Sequence, residues 1–231
     1  MKPTDKVMIS WPDPGEVQGA FCTSVAELCL TRAKRIDGLL RVEGGLLSRQ
    51  RNEIVKHFLE GSTAAWLLMI DSDEQLPVQA FDKMVNAADA QRRPVIAGLY
   101  FGTWPGGLIP QPVPHIYRRA EDGISLVPVV DYPPNQLIEI DAGGTGALLV
   151  HRSVLQAIRD QADPHEGADW CWFRDLPVAG LWLGEDFYFC RRIRSLGYPI
   201  WAHTGAILQH RRRYWLDQRQ FEAMRQAQSE E

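Results

Sequence analysis

Cysteine is scarce in this chain: four in 231 residues, Cys22, Cys29, Cys171 and Cys190, with neither zinc-ligand spacing nor a Cys-x-x-Cys redox pair. That scarcity excludes a disulfide scaffold, and the expectation is reduced, mostly buried thiols, with Cys22 and Cys29 on one face of a helix. Long apolar runs are missing too, so no segment reaches the length of a membrane span. The opening "MKPTDKVMISWPDPG" has no long apolar region of the kind a secretory leader needs, which makes a cytoplasmic protein the expectation. No Gly-Lys-Ser/Thr follows the glycine-rich "DAGGTGALL", which excludes a P-loop, and its depth in the chain and its spacing exclude a dinucleotide fingerprint. Nor is there an excess of positive charge: the formal net charge is −4, with "HRRRYW", 210–215, as a local basic cluster.

What is present suits one globular domain with a sizeable core, 45% hydrophobic and 23% charged. "KVMISWP" is a β-rich run ended by prolines and a polar loop to Gly19. Phe21, Val25, Leu28, Cys29, Ala33 and Ile36 recur at helical spacing over 20–36, with Arg32, Lys34 and Arg35 near the C-terminal end, where they suit the helix dipole. "GLLRVEGG" is a second strand, and 47–59 a second helix burying Leu47, Ile54, Val55, Phe58 and Leu59. "AAWLLMI", apolar on both faces, is a third strand of the kind found inside a helix-covered parallel sheet. Helix 78–91 and strand "PVIAGLYF" continue the alternation, which predicts an α/β fold with a largely parallel sheet. Residues 100–119 and "VVDYPPNQLIEI" predict edge strands and long loops. "IEIDAGGTGALLVHRSVL" predicts strand, turn, strand and a helix capped near Ser153. "YPIWA" and "AILQH" are expected as two further strands.

The candidate chemistry sits where the third strand ends. "AAWLLMIDSDEQLP" passes from solid apolar sequence into Asp71, Asp73 and Glu74, and ligands of open parallel sheets bind beyond the carboxyl ends of the strands. Two carboxylates two residues apart can face one hard cation, Mg2+ or Mn2+, and such ions usually bridge to phosphate. Glycines 143, 144 and 146 allow either a close backbone approach by a ligand or a tight turn with positive φ. Glu185 and Asp186 open a helix carrying Phe189, Cys190, Ile193 and Leu196 and ending at Gly197. They are either dipole partners or, beside Trp182, a general base. His210, at a strand end, is either a polar terminus or a third ligand to the ion.

In this order and spacing, "GGLLSRQRNEIVKHFLEGSTAAWLLMIDSDEQLP" and "GEDFYFCRRIRSLGYPIWAHTGAILQH" resemble GT-A glycosyltransferases of the family 2 type, which transfer a sugar from a nucleotide diphosphate donor. The first block resembles that family's Gly-x-x-x-Ser-x-x-Arg-Asn helix, hydrophobic strand and Asp-x-Asp. The second resembles its Glu-Asp helix, following strand and terminal metal-binding His. The likeness covers most of the chain and is weakest over 100–137 and after 215. It implies a single GT-A domain over 1–231, a Rossmann-like, mostly parallel mixed sheet flanked by helices. Within it, 1–100 is a nucleotide-binding half, 101–215 an acceptor and metal-completing half, and 216–231 a tail.

Carried over residue by residue, the resemblance makes Asp73 and His210 metal ligands. It sets Asp71 against the ribose or the metal's water shell. Arg51, Asn52 and Ser72 fall beside the nucleotide, and Pro12 and Asp13 in the base-binding loop, although "PDPGEVQG" departs from the usual family sequence. Asp186 takes the place of the base of inverting members, with Glu185 orienting it or meeting the acceptor. Gly143, Gly144 and Thr145 fall near the sugars. Trp182 either stacks on a sugar ring or belongs to the core. Arg211, Arg212 and Arg213 answer the diphosphate. The implied cofactor is Mn2+ or Mg2+ and the implied donor a UDP-sugar. The acceptor is a protein, a glycan or a modified nucleobase, as for small transferases of bacteriophage and bacterial genomes. The acidic balance disfavours tight binding to duplex DNA. A nucleotidyltransferase of similar fold and a non-catalytic nucleotide-sugar-binding scaffold are the alternatives, and both stereochemical courses stay open.

Overall fold

The structure, a computed structural model, describes residues 1–2, 4–103, 110–123, 125–161, 171–178, 180–214 and 217–229. Part of the irregular stretch expected over 100–119 and the ends of the expected tail lie outside these residues. The first half runs β1 (Val7–Asp13), α1 (Gly19–Thr31), β2 (Ile36–Glu43), α2 (Leu47–Gly61), β3 (Trp66–Ile70), β4 (Glu74–Gln75), α3 (Val78–Ala87) and β5 (Val95–Leu99). Short strands follow: β6 (Phe101–Thr103), β7 (Pro112–Pro114), β8 (Ile116–Arg119), β9 (Leu126–Pro128), β10 (Leu137–Ile140) and β11 (Ala142–Gly143). The chain then forms β12 (Ala147–His151), α4 (Arg152–Asp160), the hairpin β13 (Leu176–Val178) and β14 (Leu181–Leu183), α5 (Glu185–Ser195), β15 (Ile200–Ile207), β16 (Gln209–His210) and α6 (Gln218–Ser229).

Seven strands form the central sheet in the order β10-β15-β5-β12-β3-β1-β2. β1, β2, β3, β5 and β15 run in one direction, while β12 and β10 run against them. The mixed, mostly parallel sheet is therefore present, with one feature that the β-α-β alternation does not show: β12 enters antiparallel between β3 and β5. Alternation along β3 divides the core. Leu67 and Met69 join the face covered by α2, α4 and α5, whereas Trp66, Leu68 and Ile70 join the face covered by α1 and α3. No residue of β3 is more than 1% exposed. Burying five such side chains stabilises the fold by about 1.5–3 kcal/mol each before chain entropy is subtracted.

Several expected boundaries shift. The first helix stops at Thr31 rather than at 36, because the amides of Arg35 and Ile36 both turn back to the Arg32 carbonyl and Ile36 joins the sheet beside Val7. α3 stops at Ala87, four residues early. There the Asp89 carboxylate accepts the amides of Gln91 and Arg92 and closes a turn. α4 begins at Arg152 with His151 as its cap in place of Ser153. "YPIWA" and "AILQH" belong to one strand, β15, with its short continuation β16. Leu47 is exposed and Leu59 only half-buried. Cys190 is buried, Cys29 and Cys171 are half-buried and Cys22 is exposed, so the thiols are less buried than expected. α5 ends as its sequence predicts. Gly197 has φ +79, its amide donates to Arg194 and that of Tyr198 to Ile193.

Candidate active site

The carboxyl ends of the strands converge on one edge of the sheet. Asp71 follows β3, Tyr100 follows β5, Asp13 ends β1, and β16 delivers His210. β16 and β4 form a two-residue antiparallel ladder that pairs His210 with Glu74 and Gln209 with Gln75. The ladder continues through the amide of Arg211, which donates to the Asp73 carbonyl at 3.0 Å. Two residues of backbone pairing thus bring the distant basic run 211–213 onto the acidic loop.

His210 Nδ1 lies 3.0 Å from the Phe101 carbonyl, which can only accept, so Nδ1 carries the proton. His210 Nε2 then faces Asp73, whose Oδ2 is 3.5 Å away. A histidine that ligates a metal commonly hands its other N–H to a backbone carbonyl in this way. Burial pushes the Asp73 carboxyl up, but its hydrogen bond with His210 and the charges of His210 and Arg212 outweigh that and hold it below the usual range. Asp71 is engaged elsewhere, accepting from Arg51 at 2.8 Å. Among the described residues no three His, Cys, Asp or Glu side chains are grouped so as to hold a metal ion. Asp73 and His210 are brought together, while the Asp71 carboxylate is held by Arg51.

Three successive polar residues of α2, each buried, point to three different places because helix positions are set about 100° apart. Gln50 donates to the Asp13 carbonyl. Asn52 accepts the amides of Trp172 and Phe173 and donates to the Phe173 carbonyl, which pins that segment of chain and keeps its amide away from the open site. Arg51, its side chain 2% exposed, reaches Asp71, Glu185 at 2.5 Å, and Asp186. Desolvation works against its charge, yet the three carboxylates overcome it and raise its pKa further above the ordinary value. Asp186 also accepts from the Thr145 hydroxyl at 2.5 Å and the Thr145 amide at 3.3 Å. Glu185 is raised to about 7, first by burial and then by the charge of Asp186. One cation answers three acids, so the last proton of the group is held near neutrality.

Asp71 and Asp73 open onto a cavity of about 760 Å3. Its lining includes Pro12, Gly45 and Gln50, the loop Asp71, Ser72 and Asp73, and Arg211, Arg212 and Arg213. Ser72 is buried and its carbonyl accepts the Gln18 amide, which ties the loop after β1 to the floor. Asp13 stays beneath, accepting from the Gly15 amide and from Arg41. Arg213 is 3.3 Å from Glu16.

Gly143, Gly144 and Gly146 have no positive φ. Close approach is what two of them provide, and the approaching groups are side chains of this protein. A Cβ on Gly144 would lie 1.7 Å from the Tyr100 hydroxyl, and one on Gly146 would lie 2.3 Å from Glu74 Oε1. Thr145 is buried under Asp186, while Trp182 is 72% exposed and away from the core. The family resemblance assigns Glu74 no role. Glu74 is 1% exposed, both its oxygens lack a hydrogen-bond partner among the described residues, and burial followed by the charges of Asp71 and Asp73 pushes it well above the usual carboxylate range. Tyr100 and His115, stacked at 4.8 Å beside His210, carried no motif to single them out. Burial, then the charges of His210 and Arg212, pushes His115 down to about 4.

The protein has a GT-A-like fold, the fold of nucleotide-sugar glycosyltransferases. Among solved structures it is similar to A197 from STIV, at 19% identity and TM-score 0.54 over 85% of this chain and 81% of that one. It is also similar to GalNAc-T7, solved with UDP, GalNAc and Mn2+, at 11% identity and TM-score 0.55. There the likeness covers 91% of this chain but 44% of GalNAc-T7. A glycosyltransferase involved in glycosylation of the major capsid of PBCV-1 gives TM-score 0.37 at 16% identity, over 68% of each chain. No family model and no curated protein matches the sequence.

Proposed function

We propose that this protein is a metal-dependent glycosyltransferase that moves a sugar from a nucleotide diphosphate donor, a UDP-sugar by preference, to an acceptor hydroxyl. The observation that carries the reading is a cavity lined by Asp71, Asp73 and the arginine run 211–213, with His210 Nε2 3.5 Å from the Asp73 carboxylate. The donor set fits Mg2+ or Mn2+. Asp73 and His210 would hold the ion, which leaves its other positions to phosphate oxygens and water. When bound, the ion neutralises charge on the diphosphate. Arg211 and Arg212, with no acid on their guanidinium groups among the described residues, bind the same phosphates and stabilise the departing nucleoside diphosphate. Pro12 and Gln50 border the space for the base and ribose.

Asp186 and Glu185 supply the proton acceptor, with Asp186 oriented by Thr145 and Arg51 and Glu185 as its partner. Arg51 fixes both carboxylates and relieves their repulsion. GalNAc-T7, with its bound UDP and Mn2+, supports the donor class by fold likeness. The test is calorimetric titration of UDP and GDP, with and without Mn2+, into wild type and Asp73→Ala. The expected result is Mn2+-dependent UDP binding that the substitution abolishes. Failure of both nucleotides to bind wild type overturns the reading. Release of nucleoside diphosphate, not pyrophosphate, is the expected product of donor turnover.

A further inference from the structure

A second cavity, of about 560 Å3, opens one residue along α5 from Asp186. Its floor is apolar, made by Leu126 of β9, Ala142 of β11 and Phe187 of α5, and its wall is the hairpin that carries Trp182. Arg119 and Arg191, both exposed, line it as well. An adjoining hollow of about 410 Å3 shares Arg119, Asp141 and Arg191 with it. The acid there is already engaged: Asp141 accepts the Arg119 backbone amide at 2.9 Å and lies 3.6 Å from Arg194. Arg194 is also held by Glu139 at 2.6 Å. Neither the Arg119 nor the Arg191 guanidinium meets a carboxylate among the described residues.

An indole left 72% exposed against an apolar floor offers a flat face to the apolar side of a sugar ring. Two uncompensated guanidinium groups beside it suit a planar carboxylate, which the arginine fork grips through two hydrogen bonds. A peptide adding to the sheet is less well served, because Pro128 in β9 and Pro177 in β13 remove ladder donors from the short strands around the cavity. We propose that this cavity binds a saccharide carrying a carboxylate, with one ring on Trp182 and the acid group held by Arg119 and Arg191, and that this saccharide is the acceptor. The acceptor role rests on the transferase reading above; the binding does not.

The probes are a hyaluronan tetrasaccharide, the uncharged N-acetylchitotetraose and a hexaglutamate peptide, titrated into wild type, Trp182→Ala and the double variant Arg119→Ala/Arg191→Ala. The expected result is that the acidic tetrasaccharide binds about tenfold more tightly than the neutral one, and that each variant weakens it about tenfold. Both variants keep the wild-type thermal transition and Mn2+-dependent UDP binding. No binding of the acidic tetrasaccharide, equal binding of the neutral one, tighter binding of hexaglutamate, or indifference to both variants overturns the proposal. UDP binding without tetrasaccharide binding leaves the transferase reading standing and removes this one. Tetrasaccharide binding without UDP binding keeps the site and removes its acceptor role.

Discussion

Arg51 is the residue on which the site's charge balance turns, since a side chain 2% exposed faces Asp71, Glu185 and Asp186 at once. Replacing it with methionine keeps bulk and leaves three acids crowded without a cation. The expected loss is about 3 kcal/mol, the low end for a broken buried pair, because the three carboxylates stay 16–26% exposed. Urea unfolding of Arg51→Met measures it, and a loss below about 1 kcal/mol would place the guanidinium in the class of surface pairs. Glu185 gives the complementary test through pH. Its carboxyl is raised from 4.5 to about 7, so between those values the folded chain binds more protons at this residue than the unfolded chain does. Stability contributed by Glu185 therefore falls as pH rises through that window. Glu185→Gln is expected to lose less melting temperature than wild type between pH 5 and pH 8; parallel losses would refute the shift.

The turn joining β11 to β12 is the element that puts Thr145 under Asp186 and Gly146 against Glu74. Gly146→Ala would set a Cβ 2.3 Å from Glu74 Oε1 and 3.1 Å from Asp71 Oδ2. The expected cost is about 1–3 kcal/mol of overpacking. In a Glu74→Ala background less than half of that cost should remain, and a double-mutant cycle by chemical denaturation reads the difference. Equal cost in both backgrounds would mean that the added methyl meets something other than Glu74. This turn also marks the limit of what the sequence can reveal. Helical periodicity located α2 and α5, and the apolar run ending at Asp71 located the site edge, because those signals are local. Whether three glycines serve a ligand, a turn or a neighbour depends on Tyr100 and Glu74, which approach from other strands. Helix ends are not legible in the sequence for a related reason. Arg32 and Asp89 stop α1 and α3 through turns whose polar bonds leave no trace in the apolar pattern.

At the scale of the molecule, the order of strands in space departs from their order in the chain. β3 and β5 are separated only by α3 and β4 in sequence, yet β12 lies between them, paired with β3 over Ala147–His151 and with β5 over Leu148–Val150. A division at residue 100 into a nucleotide-binding half and a completing half therefore cuts through the sheet. The first hundred residues alone would leave the inner edges of β3 and β5 without partners, with buried strands such as "WLLMI" exposed along them. They would also lose His210 from the Asp73 loop and both carboxylates of α5 from Arg51. The two halves are thus expected to behave as one cooperative unit, the first hundred residues failing to fold without the strands that follow. A fragment covering 1–135 is expected to show collapsed amide dispersion in a nitrogen–proton correlation spectrum and to aggregate. The whole chain is expected to unfold in one transition, coincident by near-UV circular dichroism and tryptophan fluorescence. A dispersed spectrum from the fragment would mean that β1, β2 and β3 suffice as a nucleus and that β12 docks on a sheet already formed.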